Sequence, residues 1–292
     1  MSSQKTSAPS IKRVFNTTVK SLKNNPAVFV PFLSFLIIEL IALVMIFLAP
    51  RMPFRLVLGP AIRTFWGERF LHYPLNFLLL PKLASLSKMV AAVIFSSLLT
   101  GMAVAIVSDI YHKKQLRLGT SFKSACKKYI NLFAVVLTFT LLFYFSMKLL
   151  TVGLMRYFLA GNSRLLFLGI GAWMGPVLMA INFALAILIQ SAFAYAIPLL
   201  IIDNEKLIRA MLRSVLLFKK LFFKTLVLVG LPMLIAVPFI ILQYKSAFLI
   251  DRLFPESVLL LLFVSSIVSS LVIDALITVS TTVLYLMNRE SS

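Results

Sequence analysis

Apolar and polar residues alternate in long blocks, which divide the chain into six apolar segments separated by shorter basic ones. A helix needs about 20 mostly apolar residues to cross about 30 Å of hydrocarbon. Six segments meet this requirement, with approximate bounds of 28–49, 88–108, 129–155, 172–202, 221–244 and 257–287. The pattern predicts an all-α polytopic membrane helix bundle, in which 28–287 form one domain, 1–27 precede it and 288–292 form a tail.

Proline positions add detail to the fifth of these segments. Pro232 and Pro238 both lie inside it. Each proline lacks a backbone N–H and clashes with the preceding helical turn. A membrane helix tolerates such a break only where neighbouring groups satisfy the freed carbonyls. We therefore expect the fifth span to be bent.

Composition and charge agree with a membrane protein. Hydrophobic residues make up 61% of the chain, whereas about 45–50% is usual for soluble domains. There are 29 Lys and Arg residues against 9 Asp and Glu residues, giving a formal net charge of +20. More than half of these cations fall in 1–27, 109–128 and 203–224. The positive-inside rule then predicts that these segments and both termini are cytoplasmic.

Three of the basic segments resemble one another. Residues 11–22, 121–128 and 207–220 each combine apolar residues at helical spacing with cations, and each precedes two spans. This order favours a threefold repeat of helix, span and span. Such helices lie in the membrane interface with their cations toward anionic lipid headgroups. The headgroup candidates are Lys20, Lys23, Lys123, Lys127, Lys128, Arg209, Arg213, Lys219 and Lys220.

The same charges have a simpler explanation, because a topology signal alone requires cytoplasmic lysine and arginine. Nucleic acid is not an expected partner. The cations are dispersed over three segments and lack the stacking aromatics of a nucleic-acid surface. The partners that the sequence predicts are membrane lipids with anionic headgroups at the inner face.

Two acidic residues lie deep in the predicted spans. Glu39 and Asp274 are each about 16–18 Å from the inner end of their span, at 1.5 Å per residue, and Gln190 falls at a similar level. A polar layer of Glu39, Gln190 and Asp274 is therefore allowed. Lys148 is the only cation placed near this layer, because Lys88 falls at the outer end of the predicted second span. The layer is either structural, through hydrogen bonds between helices, or a site that handles ions or protons.

Other chemistry is sparse in the sequence. The chain has one cysteine and two histidines, so we expect no disulfide framework and no zinc site. It lacks the GxxxxGK[ST], HExxH and GxSxG motifs that mark phosphate loops, zinc proteases and serine hydrolases. The sequence therefore predicts no catalytic residues, no metal and no cofactor.

The stretch 196–214 reads AIPLLIIDNEKLIRAMLRS, a span closed by proline, an acidic turn and a helix bearing Ala and Ser. Together with TTVLY at 281–285, it resembles the membrane domain attached to some bacterial glycerophosphodiester phosphodiesterases and related six-span inner-membrane proteins. The likeness extends over about residues 10–288 in layout. The soluble catalytic domain of those enzymes is absent from this chain. The resemblance implies a bacterial inner-membrane location and this architecture, without hydrolysis.

These observations lead to two functional hypotheses. The first is a non-enzymatic, lipid-facing scaffold or accessory protein of the bacterial inner membrane, acting in envelope or lipid processes. The second is a small transporter or channel that uses the Glu39, Gln190 and Asp274 layer. A mitochondrial membrane is the alternative location, because residues 1–38 contain no acidic residue. A wide cavity that reaches Glu39 and Asp274 would favour transport, whereas a dry bundle with fenestrations to lipid would favour the scaffold.

Overall fold

The computed structural model describes residues 10–161 and 170–291, apart from the side chains of 154–161 and 170–174. In this part of the chain the protein is an all-α bundle. Five helices are long and apolar enough to cross a membrane, and a bent pair brings the total to six. The protein is therefore a multi-pass integral membrane protein, as the hydrophobic pattern predicts.

The helices follow one another with short connections. Their bounds are α1 Ile11–Asn24, α2 Val30–Phe47, α3 Phe54–Trp66, α4 Asn76–Tyr111, α5 Leu118–Lys127, α6 Tyr129–Gly161, α7 Ile170–Phe193, α8 Ala196–Ile201, α9 Leu207–Lys220, α10 Phe222–Leu234, α11 Val237–Tyr244, α12 Ser246–Arg252 and α13 Ser257–Ser291. A 3₁₀ turn at Pro26–Phe29 leads into α2. The long helices α4 and α13 pack against each other and both contact α2.

The fifth span is bent, as its prolines predict. Helices α10 and α11 meet at an angle of 48° across a short break. Pro232 lies in the last turn of α10, and Pro238 lies in the first turn of α11. Because neither proline can donate to the preceding turn, the helix cannot run straight through this region.

The second span departs most from its predicted bounds. We expected it to begin near residue 88, but α4 begins at Asn76 and continues without interruption to Tyr111. Pro81 and Lys82, which fall between the first and second predicted spans, lie inside the helix. Pro81 is the sixth residue of the helix, so the Phe77 carbonyl lacks its usual helical donor, and the helix nevertheless continues. As a result Lys88 lies well inside a helix instead of at its end.

The three basic helices occupy one end of the bundle, which we call the basic end. Helix α5 packs on α4, and α9 packs on α7 and α8. Helix α1 packs on α13, so the first of these helices contacts the last and the contacts form a closed ring. This packing follows the helix, span and span order. Each helix buries two residues four positions apart, and these pairs are Val14 and Thr18, Ser121 and Ala125, and Ala210 and Ser214.

Close approach of these helices depends on small residues. Gly101 on α4 faces α5, and a Cβ there would lie 2.7 Å from Leu132. Ser214 on α9 bridges the break between α7 and α8, where its hydroxyl donates to the Ala192 carbonyl at 2.7 Å and accepts from the Tyr195 N–H at 3.2 Å. The basic helices are thus built into the core of the bundle.

Helix α3, the beginning of α4, α12 and the beginning of α13 form the opposite end. Its core contains Leu43, Phe77, Leu249 and Val258. Helix α3 packs on α4 through Ile62 but leaves other large apolar side chains exposed. These exposed residues include Leu56, Val57 and Phe65.

Candidate functional site

An ion pair lies in the middle of the bundle. The Lys88 ammonium is 3.2 Å from Oε1 of Glu39, whose side chain is 3% exposed. Ser270 donates to Oε2 of Glu39 at 2.9 Å, and Lys88 donates to the Ser269 hydroxyl at 2.9 Å. A buried carboxylate is stabilised by a nearby cation and by hydrogen bonds. Glu39 has both, with Lys88 beside Oε1 and the Ser270 hydroxyl on Oε2.

Local helix geometry brings these groups together. Helix α13 contains a π-helical segment at Val268–Asp274, which carries both serines and ends at Asp274. Helix α4 contains a second π-helical segment at Ala92–Ser96, one turn beyond Lys88. A π-helical segment inserts a residue into the helix and redirects the side chains around it, and such segments are frequent at functional sites. Ser269 and Ser270 can therefore serve different partners although they are adjacent in sequence.

A first cavity of about 230 Å³ adjoins the ion pair on the side of the opposite end. Both charged residues line it, together with the polar side chains of Gln243, Ser265 and Ser269. Gln243 donates to the Ser265 hydroxyl at 3.1 Å. We call this space the outer cavity.

A second cavity of about 300 Å³ lies on the side of the basic end. We call it the inner cavity. Asp274 and Gln190 line it, and it shares Lys88 and Ser269 with the outer cavity. Its other polar residues are Ser96, Thr100, Thr140, Thr278, Thr281 and Thr282. Most of the remaining lining of the inner cavity is apolar. The contact between Lys88 and Ser269, which we call the partition, therefore separates two cavities in opposite halves of the bundle, each of which contains polar side chains.

The structure divides the expected polar layer. Gln190 and Asp274 both line the inner cavity, whereas Glu39 lines the outer one. Lys88 lines both cavities, so the expectation that Lys148 is the only cation near the layer is wrong. The expectation failed because the second span was predicted to begin at residue 88, which would place Lys88 at the membrane surface.

A second polar cluster lies at the basic end, around the acidic turn that follows α8. Arg289 lies 3.2 Å and Arg213 lies 3.7 Å from carboxylate oxygens of Asp203. The Tyr285 hydroxyl donates to the same carboxylate at 2.5 Å, and Arg213 also pairs with Glu205. These contacts tie α9 and α13 to the end of α8.

Lys128 completes this cluster from the other side. Its ammonium donates to the carbonyls of Leu200 at 2.5 Å and Ile201 at 3.2 Å, and to the side chain of Asn204. These carbonyls lie at the end of α8, where a cation is favoured by the helix dipole. Burial lowers the pKa of Lys128. Lys128 therefore binds protein groups, and the headgroup role expected for it does not fit this position.

The remaining headgroup candidates have different surroundings. Arg213 is engaged by the acidic turn although about half of its side chain is exposed. Seven other cations are exposed at the basic end: Lys20, Lys23, Lys123, Lys127, Arg209, Lys219 and Lys220. Large apolar side chains next to them are exposed as well, including Phe15, Phe122 and Leu212. This combination is typical of helices at a membrane interface.

No group of three or more His, Cys, Asp or Glu residues that could hold a metal ion occurs within 10–161 and 170–291. Comparison with protein-family models, with curated proteins and with solved structures finds no match for this chain. The resemblance to the membrane domain of glycerophosphodiester phosphodiesterases therefore stays a prediction. The geometry of the two cavities is the feature of the structure that bears on function.

Proposed function

We propose that the protein is a small transporter or channel that moves a polar solute between the two cavities. The observation that carries this proposal is the pair of cavities in opposite halves of the bundle, each with polar side chains in its lining and separated by the contact between Lys88 and Ser269. A transport route requires a binding region near mid-membrane and a barrier between the two sides. Ionisable residues inside a membrane protein mark such routes.

The location of the protein is part of the same proposal. The basic end faces the cytoplasm of a bacterial inner membrane, because the exposed cations cluster there. These cations contact anionic headgroups and hold the bundle at a fixed depth. The protein has no enzymatic activity and no nucleic-acid partner in this proposal. The lipid-facing scaffold expected from the sequence stays a prediction, supported by the exposed apolar residues of α9 such as Ile208 and Leu216.

The first experiment tests whether water reaches both cavities. The exposed Cys126 is replaced by serine, and single cysteines are placed at Ser265 in the outer cavity and Thr278 in the inner cavity. A cysteine at Ile41, which is 56% exposed on the outside of α2, serves as the lipid-facing control. We expect a membrane-impermeant thiol reagent to label the two cavity positions from opposite sides of sealed vesicles and to spare Ile41→Cys. Failure to label either cavity position would contradict the proposal.

The second experiment measures uptake into proteoliposomes. Glycerol, methylammonium and lactate represent neutral, cationic and anionic solutes, and protein-free liposomes give the baseline. We expect uptake of at least one solute, and we expect Thr278→Trp to abolish it because the indole fills the inner cavity. Ile41→Trp adds the same side chain on the lipid-facing surface and should transport normally. Equal uptake by both tryptophan variants would show that solute does not pass through the inner cavity.

A further inference from the structure

The charges around the partition do not balance. Glu39 and Lys88 neutralise each other at 3.2 Å, which leaves the Asp274 carboxylate as the remaining ionisable group of the inner cavity. Within the described parts of the chain, this carboxylate has no hydrogen bond and no ion pair within 4.0 Å. Lys88 acts on it only at longer range. An ionised carboxylate beside an apolar bundle is stabilised by a bound positive charge.

The hydroxyl groups of the inner cavity favour the same sign of charge. Thr140, Thr281 and Thr282 donate their hydroxyl protons to carbonyls of their own helices, at 2.7–2.8 Å. Each oxygen is then available to a ligand only as an acceptor. Gln190 adds a side-chain carbonyl to the lining. The inner cavity therefore offers one carboxylate and several neutral oxygen acceptors in an otherwise largely apolar lining. Thr281 and Thr282 follow Asp274 by about 10–12 Å along α13, so these acceptors extend from the carboxylate toward the basic end. Such oxygens favour a hard cation or an ammonium group over an anion.

Size and charge restrict the ligand further. A volume of about 300 Å³ holds about ten water molecules at about 30 Å³ each. This space accommodates an alkali ion with part of its hydration shell, or a small primary amine. Calcium sites usually provide several carboxylates, whereas this cavity provides one. The single charge of Asp274 matches a single positive charge.

We propose that the inner cavity is a binding site for a small monovalent cation, with Asp274 as its charged ligand and with Gln190 and the threonine hydroxyls as neutral oxygens along the cavity. This inference rests on the proposed transport function and names the class of its substrate. Binding of a cation beside Asp274 also places a positive charge near Lys88. The repulsion between them weakens the partition from the inner side, so binding and opening are coupled.

The test measures thermal unfolding of the purified full-length protein in detergent at constant ionic strength. The probes are Na⁺, K⁺ and methylammonium, and N-methyl-D-glucamine is the bulky control cation. We expect at least one probe to raise the unfolding midpoint in a saturable manner, because a ligand that binds only the folded state stabilises it. A response to Na⁺ or K⁺ identifies an alkali ion as the ligand. A response to methylammonium alone identifies an ammonium group.

Variants separate the site from general effects of salt. Asp274→Asn should weaken the apparent affinity by about tenfold or more, whereas Asp274→Glu should retain binding. Asp251→Asn removes an exposed acid at the opposite end and should bind as the wild type does. The absence of a saturable shift with every probe, or an equal shift in Asp274→Asn, would overturn the inference.

The two proposals can fail separately. Uptake of a neutral or anionic solute without cation-dependent stabilisation would leave the transport function standing and remove the cation site. Saturable stabilisation that depends on Asp274, without uptake of any solute, would establish the cation site and contradict transport.

Discussion

Removing the Lys88 ammonium should destabilise the bundle more than removing the Glu39 charge does. Two unit charges 3.2 Å apart attract each other by about 5 kcal/mol at an effective dielectric constant of about 20. Desolvation of both ions offsets much of this attraction, but loss of one partner leaves the other buried and uncompensated. Such a loss costs about 3–5 kcal/mol, which we expect for Lys88→Met.

The two partners are not equivalent, because their surroundings differ. Glu39 is 3% exposed, and Lys88 is its only cation within 4.0 Å in the described parts of the chain. The Lys88 side chain is 39% exposed toward the two cavities, and Asp274 lies within its electrostatic range. After Glu39→Gln, the ammonium retains water, Ser269 and a second carboxylate. We therefore expect a cost of only about 1–2 kcal/mol for this variant.

The assay is a double-mutant cycle of thermal or denaturant-induced unfolding in detergent. The double variant Glu39→Gln with Lys88→Met should be about as stable as Glu39→Gln alone. Once residue 39 is a neutral glutamine, loss of the Lys88 ammonium leaves no buried carboxylate without a partner. The magnitude of the coupling energy should then equal the Lys88→Met cost of about 3–5 kcal/mol, well above the limit of about 0.5 kcal/mol for independent sites. A smaller coupling, or a Lys88→Met cost no larger than that of Glu39→Gln, would refute the reasoning.

Three further predictions concern the basic end. Gly101→Ala should lower the free energy of unfolding by about 1–3 kcal/mol, because the new Cβ lies 2.7 Å from the buried Leu132 side chain. In the control variant Gly119→Ala the new Cβ meets no atom within 4 Å, so this change should be neutral or stabilising. Asp203→Asn should lower stability by about 1.5–3 kcal/mol through loss of its charged hydrogen bonds, and Glu256→Gln, an exposed acid at the opposite end, should leave the unfolding midpoint unchanged. Replacing Arg209, Lys219 and Lys220 by glutamine should weaken the attachment of α9 to anionic vesicles, by on the order of 1 kcal/mol of binding free energy for each cation removed. Faster proteolysis of α9 on such vesicles would report this change.

The sequence predicts the architecture well, because a bilayer leaves few choices to an apolar chain. The helical class and the bend at Pro232 and Pro238 follow from backbone hydrogen bonding alone, and the structure confirms both. The beginning of α4 is different. A proline inside a helix removes the donor to the carbonyl four residues before it, yet Pro81 does not end the helix.

The site is harder to predict from the sequence. The contacts of Ser269 and Ser270 with Lys88 and Glu39 depend on the π-helical segment of α13. No sequence pattern specifies such a segment. The role of Lys128 depends on the Leu200 carbonyl, which lies about 70 residues further along the chain. A single sequence does not indicate contacts between residues so far apart. The apolar stretch that continues upstream of Lys88 is the signal that could have placed this lysine inside the membrane.

The contact between α1 and α13 joins the first described helix of the chain to the last. A ribosome makes Ile11–Asn24 long before Ser257–Ser291, and domains form from the N-terminus during synthesis. The buried face of α1 thus has no final partner while the other spans enter the bilayer. The newly made protein must pass through an open-sided intermediate whose ring closes only after the last helix has inserted.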